Sequence, residues 1–146
     1  MGKLQESIVE RHYRAFVDKN WDEAAAMMSP DVETQMPGSP PLKGIEPFIA
    51  YTQVFITAFP DARMTLDRCV EGANLVIAEG KFIGTHTGPL ASPMGEIPPT
   101  GKHLELPFTD VFEVEDGKVT KHRVYFDNMT FMTQLGLMPE PASARG

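Results

Sequence analysis

The spacing of the apolar residues changes once along this chain, at Pro60-Asp61, and the change constrains the fold class more than any single residue does. Before it the spacing is helical. Over residues 4–19, Leu4, Ile8, His12, Ala15 and Phe16 fall on one stripe, with Val9 and Tyr13 beside it. Asn20 is suited to cap a short second helix over 21–28, whose first turn holds Asp22 and Glu23, and Pro30 ends it. Residues 32–36 are predicted as a short strand, and Pro37-Gly38-Ser39-Pro40-Pro41 as a loop. A third helix is predicted over 44–59, with Pro47 tolerated in its first turn and Phe48, Tyr51, Phe55 and Phe59 on its buried side.

After Pro60-Asp61 the period is two. Met64, Leu66, Arg68 and Val70 alternate with Thr65, Asp67 and Cys69, and residues 71–74 make a turn. A long strand over 75–85 contains Gly80 and Gly84, which predicts bends or bulges. Four Pro and three Gly over 87–101 predict a long loop, of the kind that serves as a lid or is disordered. Residues 104–114 and 119–126 form a hairpin about Asp116-Gly117. A closing helical turn follows over 129–135, and residues 139–146 are expected to be a loose tail. Helices followed by antiparallel strands mean α+β, and 146 residues without a linker or repeat mean one domain.

The charge balance argues against whole classes of partner. A net charge of −7, with no basic patch interleaved with aromatics, makes nucleic acid a poor candidate. The single Cys69 excludes an intramolecular disulfide and a multi-cysteine metal site, and is expected as a thiol in or near the core. No signal peptide is visible in residues 1–20 and no apolar run has membrane-spanning length, so a soluble cytoplasmic protein is the expectation, with no membrane partner. His12, His86, His103 and His122 show none of the close pairs that mark zinc sites, so no metal is expected. Neither a Gly-rich phosphate loop nor a Gly-x-Ser-x-Gly elbow is present. Nine Met and nine Phe suit an adaptable apolar pocket, and equally an ordinary core.

The strand over 104–114 carries the main chemical candidate. Its even positions are Leu104, Leu106, Phe108, Asp110, Phe112 and Val114, an apolar face with one carboxylate in its middle. Such a carboxylate either does chemistry or is satisfied by an amide or an Arg. The hairpin register chooses its neighbour. A three-residue loop over 115–117 sets Asp110 opposite His122, on one face with Thr120, Val124 and Phe126, and leaves Lys121 and Arg123 outside. A two-residue turn sets Asp110 opposite Arg123 as a cross-strand ion pair. The first register is expected, because it puts Val124 and Phe126 on the inner face and keeps Lys121 and Arg123 outside. The Asp-bound imidazole it creates has a fixed tautomer and raised basicity, as a general base requires. Asp127 either caps the terminal helix or serves the pocket. His86 is placed at the pocket mouth and Tyr13 near its rim, while Glu33 and Gln35 share one face of their strand. His12 is expected as a hydrogen-bonded core residue. Val111 and Val119, at outward odd positions, predict an apolar outer face and a homodimer.

Four stretches add a resemblance. Gly84-Thr85-His86-Thr87-Gly88-Pro89-Leu90, Pro98-Pro99-Thr100-Gly101-Lys102, Phe112 to Gly117 and Gln134-Leu135-Gly136, in this order and spacing, resemble the SnoaL-like polyketide cyclases of the nuclear transport factor 2-like superfamily. The resemblance extends from Tyr13-Arg14-Ala15-Phe16 through Pro30-Asp31-Val32 and Gly44 to the C-terminal stretch. It implies a cone of helices on a curved, mostly antiparallel sheet, with one deep pocket for a small apolar molecule. It also implies acid–base chemistry without a cofactor: an intramolecular aldol closure in which an Asp moves a proton and the pocket shapes the enolate. Members often read His-Trp-Asp on the last long strand, with a further Asp three residues on. Here that stretch is His122-Arg123-Val124 and then Asp127, so the first Asp is replaced by Val124 and Asp110 is left to supply a carboxylate. Members also often show His where Gln35 stands. Residue reading and resemblance together give Asp110, His122 and Asp127 as the catalytic candidates, and Tyr13, Gln35, His86, Phe108, Phe112, Val124 and Phe126 as the ligand-binding candidates.

Arg123-Val124-Tyr125-Phe126-Asp127 also looks like the limonene epoxide hydrolases, which share the fold. Their water-activating Arg and two Asp match Gly80, Phe82 and Val124 here, so that reaction is not expected. Ketosteroid isomerase-like proton shuttling, with Asp110 beside Tyr13 or Tyr125, is a further expectation of the same cone. A pocket protein that binds an apolar metabolite without catalysis is the alternative.

Overall fold

A computed structural model describes residues 2–92 and 95–138, with side chains from Ile8 onward. The expected tail over 139–146 lies outside the described residues. Helices α1 (Gly2–Val17), α2 (Trp21–Ala26) and α3 (Ile45–Ala58) cover a curved sheet, and α4 (Asn128–Gln134) closes the chain. The strands are β1 (Met28–Gln35), β2 (Leu42–Lys43), β3 (Arg63–Met64), β4 (Arg68–Gly72), β5 (Leu75–Thr85), β6 (Leu90–Ser92), β7 (Gly95–Ile97), β8 (His103–Glu115) and β9 (Lys118–Tyr125). The main sheet runs β2-β1-β9-β8-β5-β3, with β4 also on β5. Its ladders are antiparallel except β1–β9, which is parallel. This is the α+β cone that the helix-then-strand order predicts.

Local chemistry accounts for the element ends. The Asn20 side chain accepts from the Glu23 amide at 3.2 Å, capping α2 as expected. That helix stops at Ala26, before Pro30, and Met28 already opens β1, so the first strand is longer than the predicted 32–36. The predicted loop over 87–101 contains a small hairpin, β6 on β7. It is anchored rather than loose: Gly88 N–H donates to Ala58 O and His86 N–H to Lys102 O.

The expected bulge is not found in β5, which pairs with β8 from Leu75–Glu113 to Thr85–His103 without a register shift; Gly80 instead allows a close backbone approach. Between β3 and β4 the chain bulges toward β5, and a Cβ on Gly80 would stand 1.9 Å from the Thr65 carbonyl oxygen. Only a residue without a side chain permits that approach. Gly80→Ala is therefore expected to destabilise the protein by about 3 kcal/mol through forced backbone displacement. Urea unfolding checks this, and an unchanged midpoint would refute the close approach.

The β8–β9 hairpin corrects the expected register. Asp116 and Gly117 have φ of 52° and 76°, the left-handed pair of a two-residue turn, so the three-residue loop is not formed. Glu115 pairs with Lys118 and Val114 with Val119, and then Thr120 is skipped, so that Glu113 pairs with Lys121. The Thr120 hydroxyl donates to the Glu113 carbonyl at 3.1 Å in this bulge. One extra residue reverses the parity of the strand beyond it. Val119, on the turn side of the bulge and opposite Val114, points inward because of the two-residue turn and is buried, against the outward position expected of it. Asp110 lies opposite Val124, and Phe112 opposite His122. His122, Val124 and Asp110 thus reach the inner face, although neither simple turn yields this register. Arg123 is outside, paired with Glu113 at 2.8 Å rather than with Asp110.

Candidate active site

The inner sheet face and the two long helices enclose an apolar pocket. Its wall comprises His12, Tyr13 and Phe16 from α1, Met36 after β1, Phe48, Tyr51, Thr52 and Phe55 from α3, and Met64, Phe82, Leu106, Phe108, Asp110, His122, Val124 and Phe126 from the sheet side. The void measures about 80 Å³. Ligand pockets commonly exceed ~300 Å³. A molecule of more than a few heavy atoms therefore enters only if half-buried walls such as Phe16, Met64 and Phe126 swing aside, a motion that unbranched Met allows.

At one end of this apolar chamber stands a buried polar chain. Tyr13 donates its hydroxyl proton to Asp110 Oδ2 at 2.6 Å. Asp110 Oδ1 lies 2.9 Å from His122 Nε2. Residue exposures of 6%, 3% and 4% for Tyr13, Asp110 and His122 exclude bulk water from these bonds. Burial first, and then the adjacent Asp110, push the Tyr13 hydroxyl above its ordinary pKa, so it remains a donor. With Nε2 donating to the carboxylate, the His122 lone pair is on Nδ1, which has no hydrogen-bond partner. The ring is held flat on Phe112, 4.4 Å between centroids at 10°. His12 and Phe48 meet it edge-on at 5.2 and 5.6 Å. Packing and a hydrogen bond therefore fix both the orientation and the tautomer of this imidazole.

The predicted residues divide between this site and other tasks. Phe108, Val124 and Phe126 line the pocket with Asp110, His122 and Tyr13. Tyr13 is in the wall, not at the rim. Phe112 is fully buried beneath His122 and supports it from behind. Gln35 is exposed, because the inward positions of β1 are Val32 and Thr34. His86 is not at the mouth. It is buried against Phe59, with centroids 5.4 Å apart, and its Nδ1 is 2.9 Å from Thr100 Oγ1. Burial holds its pKa below the ordinary value, and its task is to tie the ends of the 86–100 excursion together. Asp127 is the N-cap of α4, accepting from Met129 N, Thr130 N and Thr130 Oγ1. Those bonds hold its carboxyl below the usual range, and it is exposed outside the pocket. Sequence reasoning passed over Met36 and Thr52, which line the pocket. The inward alternation of Val32, Thr34 and Met36 is the signal that finds Met36.

Among the described residues, no three His, Cys, Asp or Glu side chains group as a metal site. No described helix is long and apolar enough to cross a membrane.

Comparison with known proteins follows the same geometry. Residues 7–135 match the model of the SnoaL-like polyketide cyclase family. A search of curated proteins finds no match. Among solved structures, one assigned as a SnoaL-like polyketide cyclase from Jannaschia sp. CCS1 superposes with a TM-score of 0.84 at 22% identity, covering 94% of this chain and 95% of that one. IdmH of Streptomyces antibioticus, assigned as a polyketide cyclase, gives 0.76 at 26% identity, with 90% and 97% covered. A Catenulispora acidiphila protein with a ketosteroid isomerase-like fold gives 0.74 at 14% identity, with 92% and 97% covered.

Proposed function

Because this chain belongs to the SnoaL-like polyketide cyclase family, we propose that it moves a proton on a small apolar carbonyl compound, without a cofactor, in an aldol cyclisation or an isomerisation. The observation that carries this reading is the Tyr13–Asp110–His122 chain ending on an unpartnered Nδ1 in an apolar pocket. His122 Nδ1 takes the proton alpha to the carbonyl. Asp110 orients the ring and stabilises the imidazolium that forms, and Tyr13 holds Asp110 in place. The apolar walls exclude water, which strengthens each of these interactions. Where family members carry an Asp three positions before the one that matches Asp127, this chain has Val124, so the base here is His122 with its carboxylate on β8.

The reading is tested without knowing the natural substrate. Cyclohexanone in D₂O, followed by NMR, is expected to exchange its alpha hydrogens faster with the protein than in buffer, and His122→Gln is expected to abolish the difference. Absence of exchange alongside binding of cyclohexanone favours the second reading, a non-catalytic pocket for an apolar metabolite, which the small apolar void supports.

We also propose a homodimer through the outer sheet face, on a different basis from the one first expected, since Val119 is inside. Val70, Ile77 and Val111 stand side by side there in register, with Val70 56% and Ile77 39% exposed. Sedimentation at micromolar concentration is expected to give twice the monomer mass, and a monomer would overturn the assignment.

A further inference from the structure

His12 is buried in the pocket wall, and the hydrogen-bond chain does not use it. Rings surround it: Tyr13 at 6.1 Å, Phe48 at 5.5 Å, Phe112 at 5.3 Å and His122 at 5.2 Å. Such a cage would pack a phenylalanine equally well, with no polar atom to desolvate. The imidazole instead places Nδ1 in the interior without a partner. A buried polar atom left unpaired is destabilising, and native interiors contain few of them. His122 Nδ1, on the neighbouring ring, is also unpaired. Two unpaired imidazole nitrogens therefore belong to adjoining rings of one pocket. Consecutive α1 residues serve the two halves of the dyad, Tyr13 reaching Asp110 and His12 reaching His122.

We propose that His12 is a second catalytic group, whose imidazole N–H donates a hydrogen bond to the carbonyl oxygen of the ligand while His122 takes the adjacent proton. This rests on the acid–base reading above and names the ligand's polar end: a carbonyl or enol oxygen on an otherwise apolar molecule. The C–H bond breaks and the N–H bond at His122 Nδ1 forms. The C–H electron pair becomes the carbon–carbon double bond, and the carbonyl π pair moves onto oxygen. His12 stabilises that oxygen without transferring its proton, and return of the proton from His122 to carbon restores both rings. A neutral donor suits this task. Burial first, and then His122, hold His12 near a pKa of about 3, against the opposing pull of Asp110, so it carries no charge at neutral pH. Tyr13, the other titratable group facing it, is a protonated phenol.

Phenol and toluene serve as probes, because they differ by one oxygen on one ring. The wild-type protein is expected to bind phenol at least about tenfold more tightly than toluene, the effect of one buried hydrogen bond. Phenol is also expected to shift the ¹⁵N resonances of the His12 ring. In His12→Phe the preference disappears while toluene affinity is kept, and His12→Gln, which retains a donor, keeps part of it. An undiminished preference in His12→Phe, no preference in the wild-type protein, or His12 resonances that phenol leaves unmoved would each overturn the proposal. The ¹⁵N measurement uses the unaltered protein and so does not depend on a variant folding. The two readings fail separately. Absent cyclohexanone exchange with intact phenol recognition by His12 removes only the acid–base reaction. Full-rate exchange in His12→Phe removes only the role of His12.

Discussion

Asp110→Asn is expected to lower the rate of alpha-proton exchange by about 10²–10⁴-fold, the usual range for general acid–base assistance. The cause is the tautomer rather than the shape. Asp110 accepts from Tyr13 at one oxygen and lies against His122 Nε2 at the other. An amide has one acceptor oxygen. If Tyr13 keeps it, the amide nitrogen faces His122 and drives the ring proton to Nδ1, where the base is needed. If His122 keeps it, the Tyr13 bond is lost and the side chain is no longer held. Binding of toluene, which has no polar group, is expected to change little. Exchange kinetics and toluene affinity measured on the same samples separate the two effects. An unchanged exchange rate would show that the carboxylate is structural.

The second large effect is on stability and comes from His12. Its folded pKa is about 3 because burial disfavours the charged ring, against 6.5 for the free side chain. A depressed folded pKa means that the unfolded chain binds the proton first. The His12 contribution is therefore complete above pH 6.5 and is lost as pH falls from there toward 3. The slope is about 1.4 kcal/mol per pH unit, so roughly 2 kcal/mol is lost by pH 5 and about 4–5 kcal/mol by pH 3. Urea unfolding of the wild-type protein and His12→Phe at pH 7, 6, 5 and 4 isolates this contribution, since the carboxylates titrate in both. The difference in stability between the two is expected to move in favour of the variant as pH falls. Parallel pH profiles would mean that His12 is charged in the folded protein or open to water.

Much of the fold was legible because it rests on local rules. The buried stripe of α1 from Ile8 onward, the Asn20 cap, the span of α3 and the single long strand β5 follow from spacing and from single residues that tolerate or forbid a conformation. The pairing of Asp110 with His122 was legible only in part. Alternation placed the carboxylate on an apolar face, but register depends on how many residues each strand contributes to the turn and to any bulge. Thr120 is polar and unremarkable in sequence, yet its omission from the ladder sets the parity of everything after it. A faint signal was present, for Val119 and Val124 are both apolar at positions of opposite parity, and a regular strand cannot bury both.

Other residues had no local signature of their place. A loop mouth and a family likeness favour a pocket place for His86 and Gln35. Phe59 and Thr100 claim the first, and the inward turn of Thr34 excludes the second. What the sequence determined by itself is the order of the main helices and strands, the inner face of β8, and the presence there of one carboxylate among apolar neighbours. Those are one-dimensional properties, carried by periodicity and by the backbone preferences of Gly, Pro and Asn. Only the tertiary structure decided that Tyr13 meets that carboxylate, that His122 turns an unpaired nitrogen from it, and that His12 stands beside them. These contacts join residues as far apart as Tyr13 and Asp110 or His12 and His122, and their geometry is set by a bulge and by the packing of helices on a curved sheet, which no local pattern encodes.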